Sequence, residues 1–583
     1  MRQRSRGLAA ALVLVAAACA PGPTPVPSSA PAASSPGAPT ASSAVSALPA
    51  GSALASPAAC APAAAQAVKP WNDEVWYEVF VRSFKDSNGD GIGDLRGLTS
   101  ELDYLNDGNP ATTSDLGVNG IWLMPIFASP SYHGYDVTDY TKINPDYGTM
   151  ADFKALLAAA HQRGIKVILD LPINHTSDQN LWFTASATGK GPYADWYIWS
   201  KTNPGYFGPD NQIVWHQLGS QNRWYYGIFA DSMPDLNLAN PAVAREIDAI
   251  ATHWLVDVGV DGFRIDAAKY LIEEGQKQDN TQSTLDWLAR FQQTVEAARP
   301  GAMTVGEVWD TPQIAGEYVP RSMDLSFNFE LASGTLSAIQ NQRVAPLVTG
   351  LMDTQTAWPP LQSAIFLANH DQDRVMSQLN GDPAAARLAA TMLFAEPGVP
   401  FIYYGEELGM QGQKPDPSIR RPMQWTGDPP YGGFSSKVPW ESLGSDWSTV
   451  NVAAETGDPS SLLSLYRTLI RLRGSDPALH DGTTVIVDGG AEPVIGILRS
   501  DAGQSVLLVA NVSGQPVSDY SLTLKSGPLC GTVTPTLLFA TGMGAGATPT
   551  TPVLTPGGGL KGWKPFATLP PRSAAIIALE LAP

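Results

Sequence analysis

Cysteine is nearly missing from this chain: Cys19, Cys60 and Cys530 are the three among 583 residues. So few exclude a disulfide framework and a thiolate zinc cluster. Positive charge is also short, with 36 Lys and Arg against 55 Asp and Glu and a formal net charge of −19. That balance repels nucleic acid and anionic lipid, and it offers nothing to acidic substrates. No nucleic-acid partner is expected; a neutral polymer or a small neutral molecule fits. Outside the N-terminal stretch no apolar run is long enough to cross a bilayer. A Gly-x-Gly-x-x-Gly after the first strand is lacking as well, which weighs against a dinucleotide.

What is present is core-building material. A hydrophobic fraction of 44% over 583 residues describes a globular chain too long for one ordinary domain. The 16 Trp and 18 Tyr chiefly pack cores, and their flat faces also suit sugar rings. Residues 1–19 read as a signal peptide. Arg2, Arg4 and Arg6 precede the apolar Leu8 to Val15, and Ala16-Ala17-Ala18-Cys19 resembles a bacterial lipoprotein cleavage box. An ordinary secretory signal is the other reading, because Ala16 stands where that box more often has leucine. Either way the protein is expected outside the cytoplasm, secreted or as a cell-surface lipoprotein whose membrane contact is a lipid on Cys19. Residues 20–69, rich in Ala, Pro and Ser, read as a disordered tether. If Cys19 carries lipid, Cys60 and Cys530 are left as a candidate pair in an oxidising compartment.

From Trp71 onward short apolar runs alternate with helical periods. Trp76 to Phe80, Val118 to Met124, Ile165 to Asp170, Met303 to Gly306, Ala364 to Ala368 and Pro400 to Tyr404 read as buried strands, with a weaker one near Asp324 to Phe329. Met150 to Arg163 and Val243 to Val258 carry apolar residues at helical spacing, each ended by a glycine. This alternation is α/β with a parallel sheet. Polar residues at the ends of many different strands favour a closed (β/α)8 TIM barrel over an open sheet, because a barrel's chemistry sits on that rim. The barrel is expected over 70–475. The segment 176–231, rich in Trp, Tyr, Gly and Asn, is too long for a bare loop and reads as a small domain inserted after strand 3. Short strands separated by turns indicate a C-terminal all-β sandwich over 476–583.

Three strand ends carry the chemistry: Gly262-Phe263-Arg264-Ile265-Asp266, Gly306-Glu307-Val308-Trp309 and Asn369-His370-Asp371. They bring three carboxylates, an arginine and a histidine to one rim. Cleavage of a glycosidic bond needs such a set: one acid protonates the leaving oxygen, and another carboxylate attacks or stabilises the cationic carbon. Singly, each group has a dull structural reading; their joint occurrence argues for a site.

These segments resemble glycoside hydrolase family 13, the α-amylase family, over about residues 70–583. Asp170-Leu171-Pro172-Ile173-Asn174-His175 is similar to its first motif, and the three segments above to its second, third and fourth. Met233-Pro234-Asp235-Leu236-Asn237 and His133-Gly134-Tyr135-Asp136 match further motifs. The resemblance implies Asp266 as nucleophile, Glu307 as general acid/base, and Asp371 as the residue that holds sugar hydroxyls. It implies substrate contacts from His133, Tyr135, Asp136, His175, Arg264, Lys269 and His370, on α-glucan polysaccharides and oligosaccharides. Arg264, two residues before Asp266 on one strand face, would help keep Asp266 ionised.

Asp86, Asn88, Asp90, Ile92 (through its carbonyl) and Asp94 place oxygens at alternate positions among glycines. Hard oxygen ligands on a sharply turning backbone suit Ca²⁺, and related family members carry this loop. Structural calcium is the expected cofactor. For specificity, His133 stands where α-glucosidase relatives have an aspartate that closes the pocket around a chain end. The expected activity is therefore retaining hydrolysis of internal α-1,4 bonds in starch and maltodextrins. The alternatives are an α-glucosidase, a cyclomaltodextrinase or neopullulanase-type enzyme, a trehalose-synthase-like transferring enzyme, and a non-catalytic glucan-binding lipoprotein. Met233-Pro234-Asp235-Leu236-Asn237 and Arg421-Pro422-Met423-Gln424-Trp425 instead resemble the oligosaccharide-cleaving side of the family, so the sequence resembles an intermediate between the α-amylase, oligo-1,6-glucosidase and neopullulanase groups.

Overall fold

The computed structural model describes Cys60 and residues 63–582. The expected signal peptide, Cys19 and most of the expected tether lie outside the described residues.

Eight parallel strands close into a barrel in sequential order: β1 (Trp76–Val79), β2 (Gly120–Leu123), β3 (Lys166–Leu171), β4 (Gly262–Ile265), β5 (Met303–Gly306), β6 (Leu325–Phe327), β7 (Ser363–Ile365) and β8 (Val399–Tyr403), with β8 pairing back to β1. Apart from Lys166 at the start of β3, the strands are buried along their length, which is why each reads as a short apolar run. The interior is a packed core: Trp76, Trp122, Ile168, Val305, Phe327 and Phe401 fill it. Gly262 opens β4 at φ 152°, and a Cβ there would stand 2.0 Å from the Met303 carbonyl oxygen. Only glycine lets β4 and β5 meet this closely.

Helix α1 (Met150–Gln162) starts at a Thr149/Asp152 capping box and buries Phe153, Leu156 and Leu157, as its spacing predicts. The helix expected over 243–258 begins two residues earlier, at Pro241 with Asn240 as its cap. Its last turns, His253–Val258, widen to a π-helix before Gly259 takes the left-handed turn.

The inserted segment carries a short helix (Leu181–Ser186) and a three-stranded antiparallel sheet of Trp199–Ser200, Trp224–Tyr226 and Trp215–Gln217. Bridges at His175–Asp235 and Tyr197–Leu236 clamp its two ends together.

The C-terminal region holds one regular sheet, β9 (Thr483–Asp488), β10 (Val494–Asp501), β11 (Gln504–Asn511), β12 (Thr532–Thr541) and β13 (Ser573–Ala582), in the order β9-β10-β11-β13-β12. The expected all-β module is built on this sheet. Its second layer consists of isolated bridges, Val517–Leu569 and Leu522–Trp563 among them, rather than strands. Along β11, Leu507 and Val509 face the module's own core, while Val506, Leu508 and Ala510 join the barrel's core. The period of two thus seals this sheet onto the barrel on one face and closes its own core on the other. Cys60 is disulfide-bonded to Cys530, fastening the start of the described chain to this module.

Candidate active site

Strand register builds the site. Asp170 on β3 lies opposite Arg264 on β4. Asp266 leaves the end of β4, Glu307 the end of β5, Asn369-His370-Asp371 follows β7, and Glu78 sits on β1. Side chains at alternate positions point inward, so Arg264 and Asp266 face the barrel mouth together.

One buried guanidinium organises the centre. Arg264 Nη1 donates to Asp170 Oδ1 at 2.8 Å and to Asp266 Oδ1 at 2.6 Å. Its Nη2 lies 2.9 Å from Glu307 Oε2. The same Glu307 oxygen accepts the Ala267 N–H at 3.0 Å. Ala267 takes φ 49°, a left-handed backbone uncommon for a residue with a side chain, and this turn directs its N–H at Glu307. Asp266 and Glu307 thus contact neighbouring nitrogens of one planar fork.

A second chain of bonds runs across the floor. His370 Nδ1 donates to Glu78 Oε1 at 2.5 Å. Its Nε2 lies 2.6 Å from the Tyr135 hydroxyl and 3.1 Å from Asp371 Oδ2. Tyr135 in turn donates to Asp170 Oδ2 at 3.0 Å. Arg420 donates to Asp371 Oδ1 at 2.7 Å and pairs with Asp416 at 3.1 Å.

Charge follows from burial and these partners. Burial pushes the Glu307 carboxyl up, against the pull of Arg264. The Asp266 carboxyl is also pushed up by burial, with Arg264 the strongest opposing influence. Burial raises Asp170 to about 7. Asp371 goes the other way: burial works to raise it, but His370, Arg420 and Arg264 together hold it well below the usual carboxylate range. His370 is lifted to about 10, because Asp371 and Glu78 outweigh its burial, so it is an imidazolium at neutral pH. His175 is pushed down to about 4 by burial and is neutral.

A cavity of about 290 Å³ opens over this centre, lined by His133, Tyr135, His175, Phe229, Met233, Asp266, Ala267, Glu307, Asp371, Asp416 and Arg420. The three expected catalytic carboxylates and the expected contacts His133, Tyr135 and His175 therefore share one space. His175 Nε2 is buried there without a partner. The other expected contacts stand behind the wall. Both ring nitrogens of His370 are engaged, Arg264 is consumed by carboxylates, and Asp136 accepts from the Ser129 hydroxyl at 2.6 Å and from Ser131. Lys269 donates to the Trp309 carbonyl at 2.8 Å and pairs with Asp310 at 3.2 Å. Glu78, Asp170, Phe229, Asp416 and Arg420 were not among the expected site residues. Asp170 had a signal, since it opens the first motif, and Arg420 directly precedes the segment Arg421–Trp425; Glu78 had none locally.

The loop Asp86–Asp94 is a string of side-chain-to-backbone turns. Asp86 Oδ1 accepts the N–H groups of Asn88 and Gly89, Asn88 Oδ1 that of Asp90, and Asp90 Oδ1 that of Ile92. Asp94 takes Ser87 and Gly97. Among the described residues no group of three or more His, Cys, Asp or Glu converges as a metal site. The donor set itself is of the hard-oxygen kind, and Asn88 Oδ1 and Asp90 Oδ1 each accept a single bond, leaving lone pairs for a cation.

The comparisons agree with this geometry. The family description "Alpha amylase, catalytic domain" matches residues 78–482. Alpha-amylase 3 of Dictyoglomus thermophilum is 39% identical over 426 residues, covering 71% of this chain and 80% of its own length. The trehalose synthase/amylase TreS of Mycolicibacterium smegmatis is 34% identical over 511 residues, covering 76% of this chain and 84% of its own length. The crystal structure of the α-amylase from H. orenii superposes with a TM-score of 0.75 at 40% identity, covering 87% of this chain and 99% of that one. A rim of carboxylates at the strand ends of a closed barrel, on a chain matched over most of its length, makes this protein a glycoside hydrolase of the α-amylase family, family 13.

Proposed function

We propose that the protein is an extracytoplasmic α-amylase that hydrolyses internal α-1,4 bonds of starch and maltodextrins with retention of configuration. Glu307 is the general acid/base. Its Oε2 is paired with Arg264 and accepts the Ala267 N–H, so the acidic proton sits on Oε1. Asp266 is the nucleophile. Arg264 holds its Oδ1, leaving Oδ2 to attack the anomeric carbon as Glu307 protonates the departing oxygen. Glu307 then takes a proton from water, which displaces Asp266 from the sugar. Asp371, ionised between His370 and Arg420, binds hydroxyls of the same sugar, and His175 offers its free Nε2. Tyr135 supplies a ring face to that sugar.

The observation that carries internal cleavage is at His133. This residue and Arg420 line the same cavity, and Arg420 is paired with Asp371 and Asp416. Among the described residues no ion pair joins Arg420 to residue 133. An imidazole, lowered by burial and by the neighbouring positive charge, does not bridge to a guanidinium as an aspartate would. The path past the cleaved unit is left unlatched. Product analysis on amylose tests this: mixed maltooligosaccharides support it, and glucose alone transfers the reading to an α-glucosidase. The relative named trehalose synthase/amylase supports a second reading, transfer to sugar, which trehalose formed from maltose would reveal. Asp266→Asn is expected to abolish turnover while glucan still binds; persisting hydrolysis refutes the assignment.

Calcium in the loop Asp86–Asp94 is proposed as a structural ligand, supported by the oxygen donors and the family. The N-terminal sequence and the Cys60–Cys530 bond support a location outside the cytoplasm, in an oxidising compartment.

A further inference from the structure

A second cavity, of about 490 Å³, lies between the inserted segment and the barrel loop that follows β4. It shares no lining residue with the catalytic cavity. Trp199, Tyr206 and Tyr226 form its aromatic walls, and Asp195, Asn237 and Glu273 supply polar groups. Tyr226 is fixed by its hydroxyl on Gln278 at 2.7 Å, and Tyr206 stands edge-on to Trp215 at 6.0 Å. Asn237 spends its amide N–H on the Asp195 carbonyl at 3.0 Å, which leaves its Oδ1 as an acceptor.

The informative atom is Glu273 Oε1. It is buried and has no hydrogen-bond partner. A buried acceptor left unmade is costly, and a ligand that brings a donor removes the cost. Burial also raises the Glu273 carboxyl to about 7, so the site favours a partner that needs no full negative charge.

We propose that this cavity is a non-catalytic binding site for a short stretch of α-glucan, a foothold beside the cleft. The inference rests on the α-glucan reading of the catalytic site. Sugar hydroxyls are neutral donors for Glu273, Asn237 and Asp195, and sugar C–H groups match the half-buried Tyr206 ring, while Trp199, stacked on Phe183 and covered by Arg223, gives the wall a rigid edge. The volume suits such a ligand and not a bare cation, which would require six or more converging oxygens where the cavity offers two carboxylates among aromatic walls. A foothold of this kind raises the local concentration of a long substrate and does nothing for a short one.

The test uses the full-length protein. Calorimetric titration of the Asp266→Asn enzyme with maltopentaose is expected to show two binding events. Tyr206→Ala in that background removes one and leaves the other. In the active enzyme, Tyr206→Ala lowers kcat/KM on soluble starch several-fold and leaves it unchanged on a chromogenic maltotrioside. One event that Tyr206→Ala does not alter overturns the proposal while the α-glucan reading stands. No event at all sinks the α-glucan reading and the proposal with it. Should Tyr206→Ala not fold, Asp195→Ala at the exposed mouth is expected to weaken the same event, and an unchanged pair of events overturns the proposal. Calcium titration supplies the last arm: calcium binding lost in Asp195→Ala with both sugar events intact makes the cavity a cation site and overturns it as well.

Discussion

Glu307 Oε2 lies 2.9 Å from Arg264, the guanidinium that also bonds Asp266 at 2.6 Å. The proposed proton donor and the proposed attacker thus answer to one fixed positive charge. Because that charge is shared with Asp170 as well, it opposes burial at all three carboxyls without cancelling it.

Arg264 therefore sets the acid side of the activity profile. Arg264→Lys replaces a planar fork with a point charge that cannot reach all three carboxylates. Asp266 must be ionised to attack, and weaker pull raises it further, so the acid limb of kcat/KM is expected to move to higher pH. Arg264→Met leaves three buried carboxyls uncompensated and costs about 3–5 kcal/mol of stability. Steady-state pH profiles and denaturant melts check the two effects; an unmoved acid limb in Arg264→Lys contradicts the first.

His370 couples the floor of the site to pH. Its value in the folded protein, about 10, lies above the ordinary 6.5. A raised group stabilises fully below its unfolded value, and the contribution disappears as pH rises through the folded one. This stabilisation is whole below pH 6.5, declines above it and is gone above about pH 10. Glu78→Gln removes one of the two charges that lift it, so the decline should finish at a lower pH. Thermal midpoints measured across pH 6–10 in both proteins decide this, and parallel curves count against it.

His133→Asp places a carboxylate in the cavity wall shared with Arg420. An ion pair there is expected to latch the path beyond the cleaved unit. Amylose digests should shift from mixed oligosaccharides toward glucose. An unaltered product profile removes His133 as a determinant of internal cleavage.

Chelation tests the loop at Asp86–Asp94. A ligand present at a hundred times its Kd stabilises by about 2.7 kcal/mol, worth a few degrees in a protein of this size. EDTA is expected to lower the melting midpoint by that much, with recovery on Ca²⁺ and not on Mg²⁺. An unchanged midpoint withdraws calcium from this loop.

The Cys60–Cys530 bond is checked by alkylation under denaturing, non-reducing conditions followed by peptide mass analysis. Neither cysteine is expected to label until reductant is added. Free reaction at both would withdraw the bond and, with it, one support for an extracytoplasmic location.

The barrel was legible because buried parallel strands are short, nearly continuous apolar runs, and β5 (Met303–Gly306) was read to the residue. In the C-terminal module β12 (Thr532–Thr541) carries no such signal. It is half-exposed, interrupted by Pro535 and bulged near Leu537, so neither period nor apolarity marks it. Within the site, Asp266, Glu307 and Asp371 were legible from motifs. Glu78 was not, since its partner His370 stands 292 residues away. Nor was Arg420, which stands one residue before the Arg421–Trp425 segment and acquires its role only where its loop folds back over Asp371.

Residue order alone determined which strand ends carry carboxylates, because a period of two fixes the face on which Arg264 and Asp266 emerge. What only the closed barrel decided is how those groups share charge. Strand register set Asp170 against Arg264; burial then raised some carboxyls against the pull of that guanidinium, while His370, Arg420 and Arg264 together lowered Asp371. Such energies depend on distance and dielectric, and neither exists until β1 and β8 have closed the ring.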